Sequence, residues 1–316
     1  MPSSTLARDP TPRHSARRRA AALAHTWVLD ETTLNGSITQ QWRGLGGGQR
    51  FGVGETDAGA ETQTCRSIAG LGIRSRMSSV AEHYAKLLAP VYAWMAGGTD
   101  AAFAIGESDL APVVGKPGLA VDLGAGFGMH SVPLARAGWR VVAIDSSPIL
   151  LDQLAAAAAG LPIVTHCGDL LDFADALAAG ERPDLMLCMG DTLTHLESLD
   201  QVAALCRRVA SQLSASGRFL ATFRDYTRLP SGNARFIPVR ADEHRVLTCF
   251  LEEFDDYVQV HDVLHERAAD TWTTNVSSYR KLRLAPDALR QMFSAAGLRA
   301  VIEPGPRGMV RLIADA

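Results

Sequence analysis

The run Val121-Asp122-Leu123-Gly124-Ala125-Gly126-Phe127-Gly128 constrains this chain more than any other stretch. An apolar strand enters a turn with glycine at every second position. A helical stretch follows, and a second apolar run, Val141-Val142-Ala143-Ile144, ends in Asp145. Glycine lets such a turn tighten and lets backbone approach a ligand with no Cβ in the way. An acid at the end of the second strand takes both hydroxyls of a ribose as donors. The arrangement predicts a nucleoside site on an α/β sheet, with Gly124, Gly126, Gly128 and Asp145 in it.

The rest of the sequence is consistent with a globular α/β chain. Its 316 residues are 47% hydrophobic and 21% charged, enough apolar material for a full core. A net charge of −3 gives no reason to expect nucleic acid as a partner. The cysteines at 65, 167, 188, 206 and 249 show no C-x-x-C spacing and are odd in number, so neither a zinc site nor a disulfide framework is predicted. No metal site is expected, and a reducing, cytoplasmic setting is. No apolar stretch approaches the roughly 20 residues that span a bilayer, so no membrane partner is expected.

Charge divides the chain in two. Residues 1–76 hold ten Arg, no Lys and six acids, whereas 77–316 hold 21 bases and 28 acids. Three readings of 1–76 stay open: a disordered basic arm, a transit peptide, or an extension upstream of a start at Met77. The last fits a chain in which Arg outnumbers Lys 28 to 3, a mark of a GC-rich gene.

From residue 79 on, the pattern becomes regular. Apolar residues at helical spacing run from Ala81 to Met95, with Pro90 predicting a kink near Ala89 and Gly97-Gly98 a stop. Strands are then expected at 119–124, 139–145, 162–167, 184–190 and 218–224. Helices are expected from near Gly128 and over 147–159, 170–179 and 198–213, with Ser146 or Ser147 capping the second. Such alternation indicates a parallel, doubly wound sheet. Residues 235–284 read instead as antiparallel strands, an insertion before a last helix over Pro286–Ala296. The segments Arg299–Glu303 and Met309–Ala314 flank a Pro-Gly-rich link and suit a closing hairpin.

The glycine spacing narrows the ligand. A dinucleotide fingerprint would place a third small residue at 129, which is Met129. The run from Asp122 to Gly128 instead resembles motif I, D-x-G-x-G-x-G, of the class I S-adenosylmethionine (SAM) methyltransferases. That resemblance covers about 79–316 and implies a seven-stranded Rossmann-like methyltransferase sheet, with 119–226 as its cofactor half and 235–284 as a substrate lid. It implies SAM as cofactor, with Asp122, the three glycines, Asp145 and Ser146 around it. Asp169, in Gly168-Asp169-Leu170, would accept from the adenine amino group while Leu170 packs on the ring. The alternative for Asp169 is a plain helix cap.

The run Cys188-Met189-Gly190-Asp191-Thr192-Leu193-Thr194-His195-Leu196 is similar to the C-L-G-N-S-x-x-H-L segment of glycine and glycine-sarcosine N-methyltransferases. Met189 would then touch the cofactor. Asp191 stands where that branch has an Asn that helps hold substrate, and it could attract or deprotonate an amine, or take a hydroxyl proton. His195 could be a general base or a loop-fixing residue. Arg224, in Phe223-Arg224-Asp225-Tyr226, resembles that branch's carboxylate anchor, or pairs with a structural acid. His261 and His265 have metal-like spacing only on a helix, and here a strand is expected.

The resemblance implies methyl transfer to N or O of a small molecule such as an amine, amino acid or phenol, by a monomer or homodimer. A non-catalytic SAM-binding protein and an NAD(P)-dependent oxidoreductase are the alternatives. Nucleic-acid methylation is disfavoured by the acidic 77–316 segment and the lack of an N-P-P-Y-like run.

Overall fold

The structure is a computed structural model that describes residues 80–316. The expectations for 1–76 lie outside the described residues. Strands β1 (Leu119–Leu123), β2 (Arg140–Asp145), β3 (Ile163–Cys167), β4 (Leu185–Cys188) and β5 (Arg218–Phe223) fall within the predicted spans, each ending up to two residues inside them. With the hairpin β10 (Arg299–Pro304) and β11 (Val310–Asp315) they form one seven-stranded sheet, in the order β10-β11-β5-β4-β1-β2-β3. The first five strands are parallel, and β11 runs antiparallel to β5.

Both faces of this sheet are covered, which is why β1 is buried at every position. Leu119, Val121 and Leu123 face one helical layer, formed by α4 (Leu199–Gln212) and α5 (Pro286–Ala295). In α4 the buried Val202, Leu205, Cys206 and Val209 recur at helical spacing, and Ser198 caps the helix by accepting from Gln201 N at 3.3 Å. In α5, Phe293 packs against Phe219 with ring centroids 4.7 Å apart. Truncating such a buried ring costs about 3–5 kcal/mol. Ala120 faces the opposite layer, with α1 (Thr99–Leu110), α2 (Ser131–Arg136) and α3 (Pro148–Ala157).

Helix α1 has no counterpart among the predicted elements. Its sequence has no strong apolar stripe, and it docks through the absence of a side chain: a Cβ on Gly106 would stand 1.8 Å from the Met129 carbonyl oxygen. Asp109 then ties it to the final hairpin, accepting from Arg307 Nη1 and Nη2 at 2.8 and 2.6 Å. The lead-in segment is helical from Val80 to Met95 but irregular around Pro90, with a π turn over Tyr84–Leu88 and a 3₁₀ turn over Ala89–Val91. Proline lacks the N–H a regular helix needs there.

The insertion forms its own four-stranded antiparallel sheet of β6 (Phe236–Ala241), β7 (Arg245–Glu253), β8 (Tyr257–Ala268) and β9 (Thr271–Leu282), in that order. Its inner face packs Leu247 and Leu264 on Leu87, Leu88 and Val91 of the lead-in. The strand order of the main sheet reverses between β1 and β4, so a ligand crevice opens at their C-terminal ends. The second sheet stands over that edge.

Candidate active site

The turn after β1 is held from below. Gly124 N and Ala125 N both donate to the Ile144 carbonyl, at 2.8 and 3.0 Å. The glycines do different work. A Cβ on Gly128 would approach Leu154 Cδ1 to 2.3 Å, and one on Gly124 would approach Thr192 Cγ2 to 2.4 Å, so these two permit packing. Gly126 has φ +57°, and a Cβ there would meet only Leu150 Cδ1 at 4.0 Å, so its free side is open to the cleft. Gly128 itself does not line the cleft.

Asp145 closes the other side. Its Oδ2 accepts from Gly126 N and its Oδ1 from Ser147 N, both at 2.8 Å. Each oxygen keeps a second lone pair. Burial pushes this carboxyl above the usual aspartate range. Ser147 caps α3, accepting from Leu150 N, while its neighbour Ser146 lines the cleft. Asp169 is exposed, caps the 3₁₀ turn Leu170–Ala176 by accepting from Leu171 N at 2.8 Å, and also lines the cleft with Leu170. The cap and the ligand-facing position are compatible.

Asp122 is placed differently from the expectation. It is 1% exposed, lies beneath the turn, and accepts from Ser131 Oγ at 2.6 Å. It does not line the cleft. Its strand position points it at α2, so it holds the turn rather than a ligand. Burial raises its pKa as well.

The loop after β4 carries Met189 and His195 to the cleft and keeps Asp191 out of it. Asp191 adopts φ 77°, a left-handed conformation that Asp tolerates better than most residues. Its Oδ1 accepts from Arg224 N at 2.9 Å and Thr194 Oγ1 at 3.0 Å. Its Oδ2 accepts from the Tyr226 hydroxyl at 2.7 Å and contacts Lys281 Nζ at 3.1 Å. A carboxylate has about four acceptor sites, and all are taken. The expected catalytic part for Asp191 is therefore corrected: this is a buried junction that joins β5, the β4 loop and β9.

Arg224 does not line the cleft either; its backbone N–H serves Asp191. The carboxylate-anchor reading thus has no geometric support. Lys281 went unseen in the sequence. It is one of three lysines in the chain, it lies on the second sheet, and a lone Lys in a strand carries no motif.

His195 Nε2 lies 2.9 Å from Lys281 Nζ and 3.4 Å from the Tyr84 hydroxyl. Burial, and then the Lys281 charge, hold the imidazole well below the usual histidine range. Tyr84 packs edge-on to His195, and Tyr92 lies tilted against Tyr84 at 5.8 Å between centroids. The cleft is also lined by the carboxylates of Glu197, Asp200, Asp255 and Asp256 and by Arg283 and Arg280, the last stacked 4.1 Å from the Tyr257 ring centroid.

The cleft has a volume of about 1380 Å³. Pockets for a single drug-sized ligand are roughly 300–1,000 Å³, so there is room for a cofactor and a second molecule. The donor set fits a nucleoside with a cationic tail: an acid with open lone pairs at Asp145, a glycine whose missing Cβ leaves the cleft free, and aromatic walls at Tyr84 and Tyr92. Among the described residues no group of three or more His, Cys, Asp or Glu is placed to hold a metal ion. His261 and His265 pair instead with Glu252, Ser278 and Thr274 on β7 and β9. No helix among the described residues is long and apolar enough to cross a membrane.

Residues 120–217 match the family model described as "Methyltransferase domain". No curated protein matches the chain. Among solved structures, the CcbJ methyltransferase from Streptomyces caelestis aligns at 21% identity over 75% of this chain and 96% of its own, with a TM-score of 0.57. DesVI from Streptomyces venezuelae aligns at 19% identity over 72% and 97%, with a TM-score of 0.59. SAM-bound CalS10, an amino pentose methyltransferase from Micromonospora echinaspora, aligns at 16% identity over 71% and 94%, with a TM-score of 0.58. These likenesses establish the fold. Over residues 120–217 the chain thus resembles a methyltransferase domain, on the fold that these methyltransferase structures share.

Proposed function

We propose that this protein is an enzyme that methylates a nitrogen on a small-molecule amine, using SAM. The observation that carries this is the continuity of one cleft. One cleft is lined both by Gly126 and Asp145 and by Tyr84, Tyr92, His195 and four further carboxylates. These four carboxylates outnumber the lining Arg280 and Arg283, and an acidic lining raises the local concentration of a basic acceptor. The amino pentose acceptor of CalS10 belongs to the same chemical class. A glycine-type acceptor is less well served, because Arg224 is not in the cleft.

In this reading Asp145 takes the ribose hydroxyls, while Asp169 and Leu170 hold the base. Met189 and Gly126 border the tail. When bound, SAM supplies a methyl group on a sulfonium that is already an activated electrophile. The protein's own work is to position the acceptor and exclude water from it. Tyr84, Tyr92 and the second sheet do that.

The test is transfer of labelled methyl from SAM by the full chain to a panel of amino sugars, other amines, amino acids and phenols. Label is expected in amines. Label confined to phenols, or none in any acceptor while the product S-adenosylhomocysteine still binds, would reject the proposal.

A further inference from the structure

The contact between Lys281 and His195 decides which ring nitrogen carries a proton. Lys281, near the end of β9, is 3% exposed. Its ammonium has three N–H bonds and no lone pair. Three acceptors meet it: the Asp191 carbonyl oxygen at 2.8 Å, Asp191 Oδ2 at 3.1 Å and His195 Nε2 at 2.9 Å. Nε2 must therefore accept, and the single proton of the neutral ring sits on Nδ1. The Tyr84 hydroxyl lies 3.4 Å from the same atom. Nδ1 is buried with no protein partner.

The groups facing this ring come from every element packed on it. They are His83 and Tyr84 from the lead-in, Tyr279 and Lys281 from β9, and Asp191 from its own loop. Asp191 is already neutralised by Lys281, so no free anion favours an imidazolium.

We infer that Lys281 is a positioning residue that fixes His195 as the Nδ1–H tautomer and so removes it as a proton acceptor. Resting on the methyl-transfer reading, the acceptor amine then reacts as its free base without help from His195, its proton lost beforehand to solvent or to a cleft carboxylate. The amine lone pair forms the new N–C bond as the S–C bond breaks, and the positive charge passes from sulfur to nitrogen. No protein base is needed in that step. The acid limb of kcat/KM follows the acceptor's own pKa.

The experiment uses the full chain with ¹⁵N-labelled histidine. Spectra should show His195 with protonated Nδ1 and bare Nε2, unchanged from about pH 8 to about pH 5, the window in which an ordinary histidine titrates. In Lys281→Met, Nε2 is freed, and the ring, still buried, should lose its exclusive Nδ1–H form and show protonated Nε2. Because that variant leaves the Asp191 carboxylate unpaired, Lys281→Met/Asp191→Asn is measured beside it, with the same expected release of His195. A protonated Nε2 in the wild type, or wild-type titration near the ordinary value, overturns the inference. So does an acid limb of kcat/KM that stays fixed for two amines of different pKa. Calorimetry with S-adenosylhomocysteine on the same samples separates the two readings: absent binding rejects methyl transfer and leaves the tautomer result standing.

Discussion

Lys281 Nζ and Asp191 Oδ2 lie 3.1 Å apart, both almost wholly buried, and so join the second sheet to the loop after β4. The two residues are 90 positions apart in sequence. The insertion is thus fastened through β9, the edge strand of its sheet.

That bond should matter for stability. Lys281→Met leaves a buried carboxylate without its cation, and breaking such a pair from one side costs roughly 3–5 kcal/mol. Lys281→Met/Asp191→Asn should recover much of that loss. Urea unfolding of the three proteins measures both effects; a double variant no better than the single would show that packing, not charge, dominates.

The three glycines of the turn should separate by experiment. Gly128→Ala adds a methyl against Leu154 and takes up a φ of +94°, so it combines overpacking of about 1–3 kcal/mol with left-handed strain of about 1–2 kcal/mol. Gly126→Ala faces the strain alone. Thermal melts should place Gly128→Ala below Gly126→Ala, whereas cofactor affinity should suffer directly in Gly126→Ala, where the new methyl enters the cleft.

His195 gives a pH signature. Its folded pKa is depressed below the ordinary 6.5 of the unfolded chain. Below that value the unfolded state binds more protons than the folded one, so the contribution of His195 is intact above about pH 6.5 and is lost as pH falls toward the depressed value. The urea midpoint of wild type should fall more steeply over this range than that of His195→Asn. Parallel curves would contradict the buried, neutral imidazole.

Asp122 and Asp145 are both strand-end carboxylates beside the glycine turn, yet only Asp145 faces the cleft. Asp122→Asn keeps an oxygen for Ser131 and sheds the cost of burying a charge. Its stability at pH 7 should match or exceed wild type, with S-adenosylhomocysteine affinity preserved. A large loss of affinity in Asp122→Asn would mean that the turn geometry depends on its charge.

Much of the fold was legible because short apolar runs, caps and glycines are local signals. The first five strands lie within the spans those signals mark, and Pro286 and Gly297 bound α5 where proline and glycine should. Helix α1 was not legible: its residues are mostly Ala, Gly and acids, and Gly106 docks by close approach rather than by an apolar stripe. Gly126, Asp145, Ser146, Asp169 and Leu170, marked in the sequence by a glycine turn and by strand ends, line one cleft. Asp191 could not be read correctly, because its four donors come from four distant or non-adjacent groups and no spacing announces them. Chemistry assigned by position in a motif thus turned out to be a structural junction.

The most direct test of this account is calorimetric titration of S-adenosylhomocysteine into the full chain and into Asp145→Ala. A hydrogen bond to a charged group contributes roughly 1.5–3 kcal/mol, so losing the ribose acceptor should weaken binding by at least about tenfold. Binding by wild type with that loss in the variant is the result predicted. Equal affinity in the two proteins would contradict the placement of the cofactor at the glycine turn and Asp145.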